Sequence, residues 1–521
     1  MKLKGKINEF SDVPSPYWIA STPETNYPVL DKDIEVDVAI AGGGIAGITS
    51  AYLLSKEGMK VAVLEADRIL QGTTGHTTAK ITSQHSLIYA RLLKEMGEEL
   101  SRQYAEANEA AIHMISKIVD EHDIDCNFVW RPAYLYTQSD DYVKQIEEEA
   151  QAGERLGIMA SILNKISLPF PVKTILRFDH QAQFHPLKYL QALALEITRR
   201  GSYIFEQTQA VDIEENQGCS VITSNGKKVK ADKVIIATHY PFYDGGGFYF
   251  SRVYAEKSYI IGVTIDGTFP KGMFISAENP TRSLRSQSMD DGELILVAGE
   301  HHKTGQSKNT NLHYHNLIDF AHETFRVQDI RYRWSTQDYM TLDGVPYVGH
   351  LTTQSPNIYV ATGFGKWGMT NSTAASMILS DLIRKGDSPW AEVYKPSRST
   401  SATSIKNFIV QNANVAKTYI AGKLEPALND VEIPVGEARV IDVDGQKMGA
   451  YKDEAEKLHI VDITCPHVGC ELEWNHAELS WDCPCHGSRF TFEGDIIEGP
   501  AQYCLSHIEE GPNPIEPNVF P

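Results

Sequence analysis

Cysteine is scarce over most of this chain. Of 521 residues seven are cysteine, and only Cys126 and Cys219 precede residue 465. That spacing excludes a disulfide-built secreted scaffold, and it makes the late cluster a candidate for metal or redox chemistry. Basic charge is also lacking. The formal net charge is -20, which argues against nucleic acid or an anionic membrane as the main partner. No apolar run reaches transmembrane length. The start, "MKLKGKINEFSDVPSPYW", is basic but has no apolar stretch of the secretory kind. The expectation is a cytoplasmic protein without a transmembrane segment. There is no long repeat and no low-complexity tract. Hydrophobic residues make up 42% and charged residues 22%, so the bulk is ordinary globular protein, with length for two to four domains.

Residues 34–64 read as one strand–helix–strand unit. "IEVDVAIA" is a short buried strand, apolar residues recur at helical spacing from Ile45 to Lys56, Gly58 suits a helix end, and "KVAVL" is a second strand. "KVIIATH" (233–239) and "NIYVATG" (357–363) are continuous apolar runs of the kind buried on both faces of a parallel sheet. Between them "ELILVAG" suits an antiparallel sheet. "GEHHKTG" (299–305) reads as a strand-end loop, because adjacent imidazoles on a strand point to opposite faces and converge poorly on one metal. The expected fold over residues 1–393 is an α/β Rossmann-type domain interrupted by an antiparallel-sheet domain. A linker and helix follow over 394–424, and a small all-β domain over 425–521, where "VDGQ" between strand-like runs signals a hairpin.

The first unit carries "GGGIAG". Gly42, Gly44 and Gly47 fit G-x-G-x-x-G: the first allows a tight turn, the second lets backbone approach a pyrophosphate, the third lets helix pack on strand. Phosphates would sit at the helix N-terminus, where free N–H groups and the helix dipole favour negative charge. Glu65 ends the second strand, placed for a ribose hydroxyl.

With "LEADRILQGTTGHTTAK", "HPLKYLQALALEITRRGSYIFEQTQAVDIE", "IIATH", "TLDGVPYVG" and "ATGFGKWGMTNSTAAS", residues 16–385 resemble the FAD-dependent D-amino-acid oxidase family, which includes glycine oxidase, sarcosine oxidase and dimethylglycine dehydrogenase. The resemblance implies FAD as cofactor and an amine as substrate, oxidised by hydride transfer to the flavin. It implies FAD contacts at Gly42, Gly44, Gly47 and Glu65 for the AMP half and at Ala210 and Val211 for the adenine. It further implies contacts at Thr74, Gly75, His76, Thr77 and Thr238, and at Gly363, Gly365, Gly368, Met369 and Thr370 beside the flavin ring. His76 aligns with a histidine that links FAD covalently in some relatives; the plainer reading is a hydrogen-bonding loop histidine. Two departures concern catalysis. Asp338 stands where amino-acid oxidases of the family often carry a substrate-binding arginine, which favours a cationic substrate, unless the loop is shifted and Asp338 is only a solvated charge. Lys366 falls where glycine oxidases carry a basic residue near the flavin; a surface lysine is the alternative.

The stretch "CPHVGCELEWNHAELSWDCPCHGSRF" (465–490) offers thiolates and imidazoles in two loops, C-x-H and C-x-x-H. Read alone, four such ligands could serve a zinc site. The full string resembles the Rieske [2Fe–2S] domain, in which two histidines replace two cysteines on one iron and raise the potential. The resemblance implies Cys465 and Cys483 on one iron and His467 and His486 on the other. It also implies a disulfide between Cys470 and Cys485, a third loop at Gly499–Pro500–Ala501, and a hydrogen bond from Ser488 to a cluster sulfur. Phe490 stands where high-potential members carry tyrosine, which implies a lower potential here. His476 fits no ligand position.

The combination resembles bacterial fusions of a D-amino-acid-dehydrogenase-like flavin domain to a Rieske domain. It implies a dehydrogenase that passes electrons from a small-molecule amine through FAD and the cluster to an external acceptor, a protein or a quinone-like molecule. Alternatives are a reductase feeding another enzyme, which should carry a second dinucleotide fingerprint that is not seen, and a redox sensor in which the cluster is regulatory.

Overall fold

A computed structural model describes residues 13–216, 218–399, 401–428 and 432–508. The basic start read above for a leader falls mostly in residues 1–12, outside the described ones. The chain divides into two compact units. One gathers residues 14–301 and 313–409; the other gathers residues 302–312 and the chain from 410 onward.

In the first unit, strand Ile34–Ala41 lies between strands Val61–Leu64 and Lys228–Ile236 and runs parallel to both. Ile358–Thr362 pairs in parallel with the end of Lys228–Ile236. These are the continuous apolar runs, and their central residues are fully buried, as expected of a sheet covered on both faces. Helix Ile45–Lys56 packs on the sheet together with helix Gly368–Lys385. Gly58, with φ +86, lies just past the first helix's end, where a left-handed residue closes a helix without steric cost.

The second sheet of this unit has eight strands, mostly in antiparallel pairs, with Met273–Ser276 parallel to Ala133–Thr137. Its longest pairing joins Val253–Ile265 to Val327–Thr341. "ELILVAG" lies in Gly292–Lys303, antiparallel to Arg282–Met289.

The stretch 394–404, polar enough to read as linker, contains a buried cation. Arg398 and Asp343 form a two-pronged ion pair, Nε to Oδ2 and Nη2 to Oδ1, each 2.7 Å, with both side chains 6% exposed. Arg398 also donates to the carbonyls of Val345 and Pro346. Burial alone would raise the Asp343 pKa; the guanidinium outweighs it and holds the carboxyl below its usual range.

The second unit contains two four-stranded antiparallel sheets. One is built from Ala438–Val443, Gln446–Lys452, Leu458–Asp462 and His507–Ile508, the other from Glu473–Asn475, Ser480–Asp482, Arg489–Thr491 and Ile496–Glu498. The expected hairpin is there: Asp444 and Gly445 both have positive φ, 55° and 84°, the pattern of the mirror-image turn whose twist suits a hairpin. Trp481 and Phe490 are directly opposite each other on neighbouring strands and fully buried. Each contributes about 1.5–3 kcal/mol or more of apolar burial to this small core.

Candidate functional site

The glycine turn after the first strand is closed by backbone. Gly42 has φ +102, and a Cβ there would lie 2.5 Å from the Ala237 carbonyl; a Cβ on Gly47 would lie 1.9 Å from the Gly42 carbonyl. Gly44 is the N-cap of helix Ile45–Lys56 and brings no capping side chain, so the first N–H groups of the helix take acceptors from elsewhere. Thr74 Oγ1 accepts from Ile45 N at 3.0 Å. Glu65 Oε2 accepts from Gly43 N at 2.7 Å, and Oε1 from Asp67 N. Burial pushes the Glu65 carboxyl upward against these N–H donors. Thr208 N donates to the Glu65 carbonyl, and Ala210 and Val211, which open the strand Ala210–Asn216, follow two residues after Thr208. The backbone of Thr238 adjoins Gly42. A helix N-terminus with a glycine N-cap, a turn that only glycine fits and an acid at the second strand's end suit a dinucleotide.

Four distant segments meet at the edge of the second sheet. Thr73 Oγ1 donates to the Gln337 carbonyl at 3.0 Å and lies 3.2 Å from His239 Nδ1. Gly75 is packed against Leu70 and Ile19. His76 Nδ1 bonds the Gly72 carbonyl at 2.8 Å, and its own carbonyl accepts from Trp334 Nε1. The Thr77 carbonyl accepts from Trp18 Nε1. From the other side Gly363 (φ +76) and Gly365 (φ +59) form the turn before helix Gly368–Lys385, and Gly365 N donates to the Tyr339 carbonyl at 3.2 Å. Met369 and Thr370 are buried in the helix's first turn, with Thr370 Oγ1 donating to the Thr82 carbonyl.

Asp338 and Lys366 are both in this convergence. Asp338 is directly opposite Glu256 in the pairing of Val253–Ile265 with Val327–Thr341, which puts the two side chains on the same face. Lys366 Nζ pairs with Glu256 Oε2 at 2.7 Å. It is therefore not a free surface lysine. His301 is near both: burial, with Lys366 second, lowers its pKa to about 4, so it is neutral at pH 7. Next to it Glu300 takes Arg282 at 2.6 Å, His313 at 3.2 Å and Asn316 at 2.9 Å. Glu256 has no sequence signal: it is a single acid on an alternating strand, and only the strand register reveals its neighbours.

In the second unit two loops have the same construction. Cys465-Pro-His-Val-Gly469 and Cys483-Pro-Cys-His-Gly487 each close with the glycine N–H on the cysteine carbonyl, at 2.8 and 3.1 Å, and both glycines have left-handed φ near 80°. In each loop two backbone N–H groups point at the cysteine sulfur: His467 and Val468 on Cys465, Cys485 and His486 on Cys483. Proline after each cysteine costs no donor, because the sulfur takes its bonds from the residues beyond. Cys470 and Cys485 are joined by a disulfide. Cys470, Cys483 and Cys485 lie within 4.8 Å of one another, but the bonded pair has no thiolate to offer. Cys465 and Cys483 remain thiols. A hydrogen bond from Cys483 and others from Ser488 and the backbone lower Cys465 to about 7, while Cys483, the donor, is pushed well up. The His467 and His486 rings are 5.0 Å apart, and burial lowers both to about 4. Two adjacent thiols and two neutral imidazoles are a donor set that fits a Rieske cluster. Ser488 Oγ also accepts from Ala501 N at 3.2 Å, and a Cβ on Gly499 would strike the Gly487 carbonyl at 2.5 Å, which holds the third loop against the second.

The family model for FAD-dependent oxidoreductases (DAO) matches residues 37–382. The chain belongs to this family. The model for the Rieske [2Fe-2S] domain matches residues 424–509. The protein is thus an FAD-dependent oxidoreductase with an iron-sulfur domain, and its cofactors are FAD and a [2Fe–2S] cluster. It is 43% identical over 499 residues to the putative Rieske 2Fe-2S iron-sulfur protein YhfW of Bacillus subtilis (strain 168), covering 96% of this chain and 98% of that protein. It is 25% identical over 400 residues to gamma-glutamylputrescine oxidoreductase of Escherichia coli (strain K12), covering 71% and 89%. Glycine oxidase from Geobacillus kaustophilus shares the fold of the flavin unit, with a TM-score of 0.58 at 18% identity over 67% of this chain and 95% of that one. Among the described residues no helix is long and apolar enough to cross a membrane.

Proposed function

We propose that the chain is a dehydrogenase that oxidises a cationic amine-type small molecule and passes the electrons singly to an external acceptor. The observation that carries this reading is the Glu256–Asp338 pair. Two carboxylates on one face beside a single lysine give this place an acidic lining that repels a substrate carboxylate and favours a cation. The E. coli relative named for gamma-glutamylputrescine agrees with an amine.

When bound, FAD supplies a two-electron acceptor and the [2Fe–2S] cluster a one-electron carrier. In this reading Gly42, Gly44 and Gly47 leave room for the pyrophosphate at the helix start and Glu65 takes the ribose. Thr74, Gly75, His76 and Thr77 line the cofactor with Ala210, Val211 and Thr238. Gly363, Gly365, Gly368, Met369 and Thr370 flank the ring, where Lys366 holds a positive charge. Asp338 and Glu256 hold the amine. Cys465 and Cys483 bind one iron, His467 and His486 the other, while Ser488 and Phe490 abut the cluster. The acceptor is a protein or a quinone-like molecule, and the location is the cytoplasm, which fractionation tests.

The deciding experiment mixes the protein anaerobically with diamines, secondary and tertiary amines and D-amino acids. Flavin bleaching followed by bleaching of the cluster spectrum is expected with a cationic amine. Bleaching by NAD(P)H and by no amine would replace this reading with a reductase.

A further inference from the structure

Near the end of the strand Gly292–Lys303 stands Glu300, a non-glycine residue with φ +57, a conformation that persists only where neighbours enforce it. Arg282, His313 and Asn316 do so. From His302 to Leu312 the chain belongs to the Rieske unit, and there it reaches the second cluster loop. Gly305 (φ +65) is so close that a Cβ would lie 2.7 Å from Pro484 N. Gln306 Nε2 donates to the Pro484 carbonyl and to Asn414 Oδ1, both at 2.9 Å, which uses both amide hydrogens. Lys303 Nζ donates to Asn414 Oδ1 at 2.9 Å and to Gln411 Oε1. Thr310 Oγ1 accepts from Ala477 N at 3.0 Å. Within the Rieske unit the excursion is thus held from Lys303 to Thr310, with Gln306 on the loop that carries Cys483 and His486.

The Pro484 carbonyl and the Cys485 N–H belong to one peptide group. That N–H points at the Cys483 sulfur. A donor on the carbonyl polarises the peptide and strengthens the bond its N–H makes. Hydrogen bonds to cluster sulfurs favour the more negative, reduced state and raise the potential. We propose that Gln306 is a positioning residue of the Rieske cluster: by holding the Pro484 carbonyl it aims and polarises the Cys485 N–H at Cys483 Sγ and raises the cluster's reduction potential. A residue from within the flavin domain's own sequence thereby sets the driving force for electrons reaching the cluster. The inference rests on the ligand assignment proposed above.

The test uses the full-length holoprotein. Gln306→Met removes both donors at nearly the same length, Gln306→His keeps one, and Lys308→Ala changes an exposed residue of the same excursion. Iron and sulfide content and the EPR spectrum of the reduced protein come first. A parent protein with no Rieske-type signal would refute the ligand assignment itself. With the cluster loaded, redox titration of Q306M is expected to show a lowered midpoint. At the parent's midpoint the ratio of reduced to oxidised cluster should fall several-fold, with partial recovery in Q306H and no change in K308A. A parent-like midpoint in loaded Q306M overturns the inference. Should Q306M fail to retain iron, Gln306→Asn decides, since its shorter amide withdraws the donor from Pro484: a lowered midpoint supports the inference and a parent-like one overturns it.

Discussion

Glu256 and Asp338 are directly opposite each other across antiparallel strands, and Lys366 pairs with Glu256. Like charges opposed on a sheet destabilise it unless a cation is near. Glu256→Gln and Asp338→Asn are therefore expected to leave folding intact or slightly improved. They should lower kcat/KM for a cationic amine by roughly 10- to 100-fold, about 1.4–2.8 kcal/mol of lost charge pairing. Steady-state kinetics with a dye acceptor measures it. Equal losses for a neutral amine would show that charge is not what the pair reads.

The glycine turn makes a second prediction. A methyl group on Gly47 has nowhere to go, 1.9 Å from the Gly42 carbonyl, whereas one on Gly58 meets nothing within 4 Å. Gly47→Ala is expected to separate helix from strand and to abolish FAD retention. Gly58→Ala should cost only about 1 kcal/mol for its left-handed φ and keep the flavin. Flavin-to-protein ratio after gel filtration distinguishes them.

Glu300 should shape the acid limb of stability. Burial opposes its ionisation, but His313, Asn316 and Arg282 hold it at about 2, below the ordinary 4.5. Its folded pKa is depressed, so its stabilisation is complete above pH 4.5 and is lost as pH falls from there toward 2. The amount is on the order of 2–3 kcal/mol. Urea unfolding of the flavin unit, followed by flavin fluorescence, should fall more steeply over this range in the parent than in Glu300→Gln.

Phe490→Tyr should raise the cluster potential if its new hydroxyl reaches a sulfur. One hydrogen bond to a charged group, about 1.4 kcal/mol, corresponds to roughly 60 mV for a one-electron couple. Protein-film voltammetry gives the value, and an unchanged potential would remove Phe490 from the residues that tune the cluster.

Replacing Cys470 and Cys485 together by serine opens a loop closed by a bridge 15 residues apart in sequence. Such a closure is worth about 3 kcal/mol. The variant should lose its cluster at a lower temperature than the parent, as read from visible absorbance during heating. Dithiothreitol should have the same effect on the parent if the bridge is accessible.

Much of this was legible in the chain because the signals are local. Gly42, Gly44 and Gly47 are dictated by steric limits within one turn, and the strand and helix around them by short-range periodicity. Cys465-Pro-His and Cys483-Pro-Cys-His sit in loops whose backbone donates to its own cysteines, so the spacing marks a metal-type donor set, and the resemblance of the full string to the Rieske domain made it a cluster site. The identity of the two cofactors follows from those stretches. What sequence could not supply depends on register and on return contacts. Glu256 became a partner of Asp338 only through strand pairing some eighty residues apart in sequence. Arg398, read as linker, became a buried ion pair because Asp343 waits in a distant turn. Lys366 became a paired cation for the same reason. Gln306 reaches the Rieske loop only because the chain leaves its sheet and joins the other unit for eleven residues. A side chain's chemistry is written in its type, but the field it acts in is set by neighbours that only the folded chain brings near.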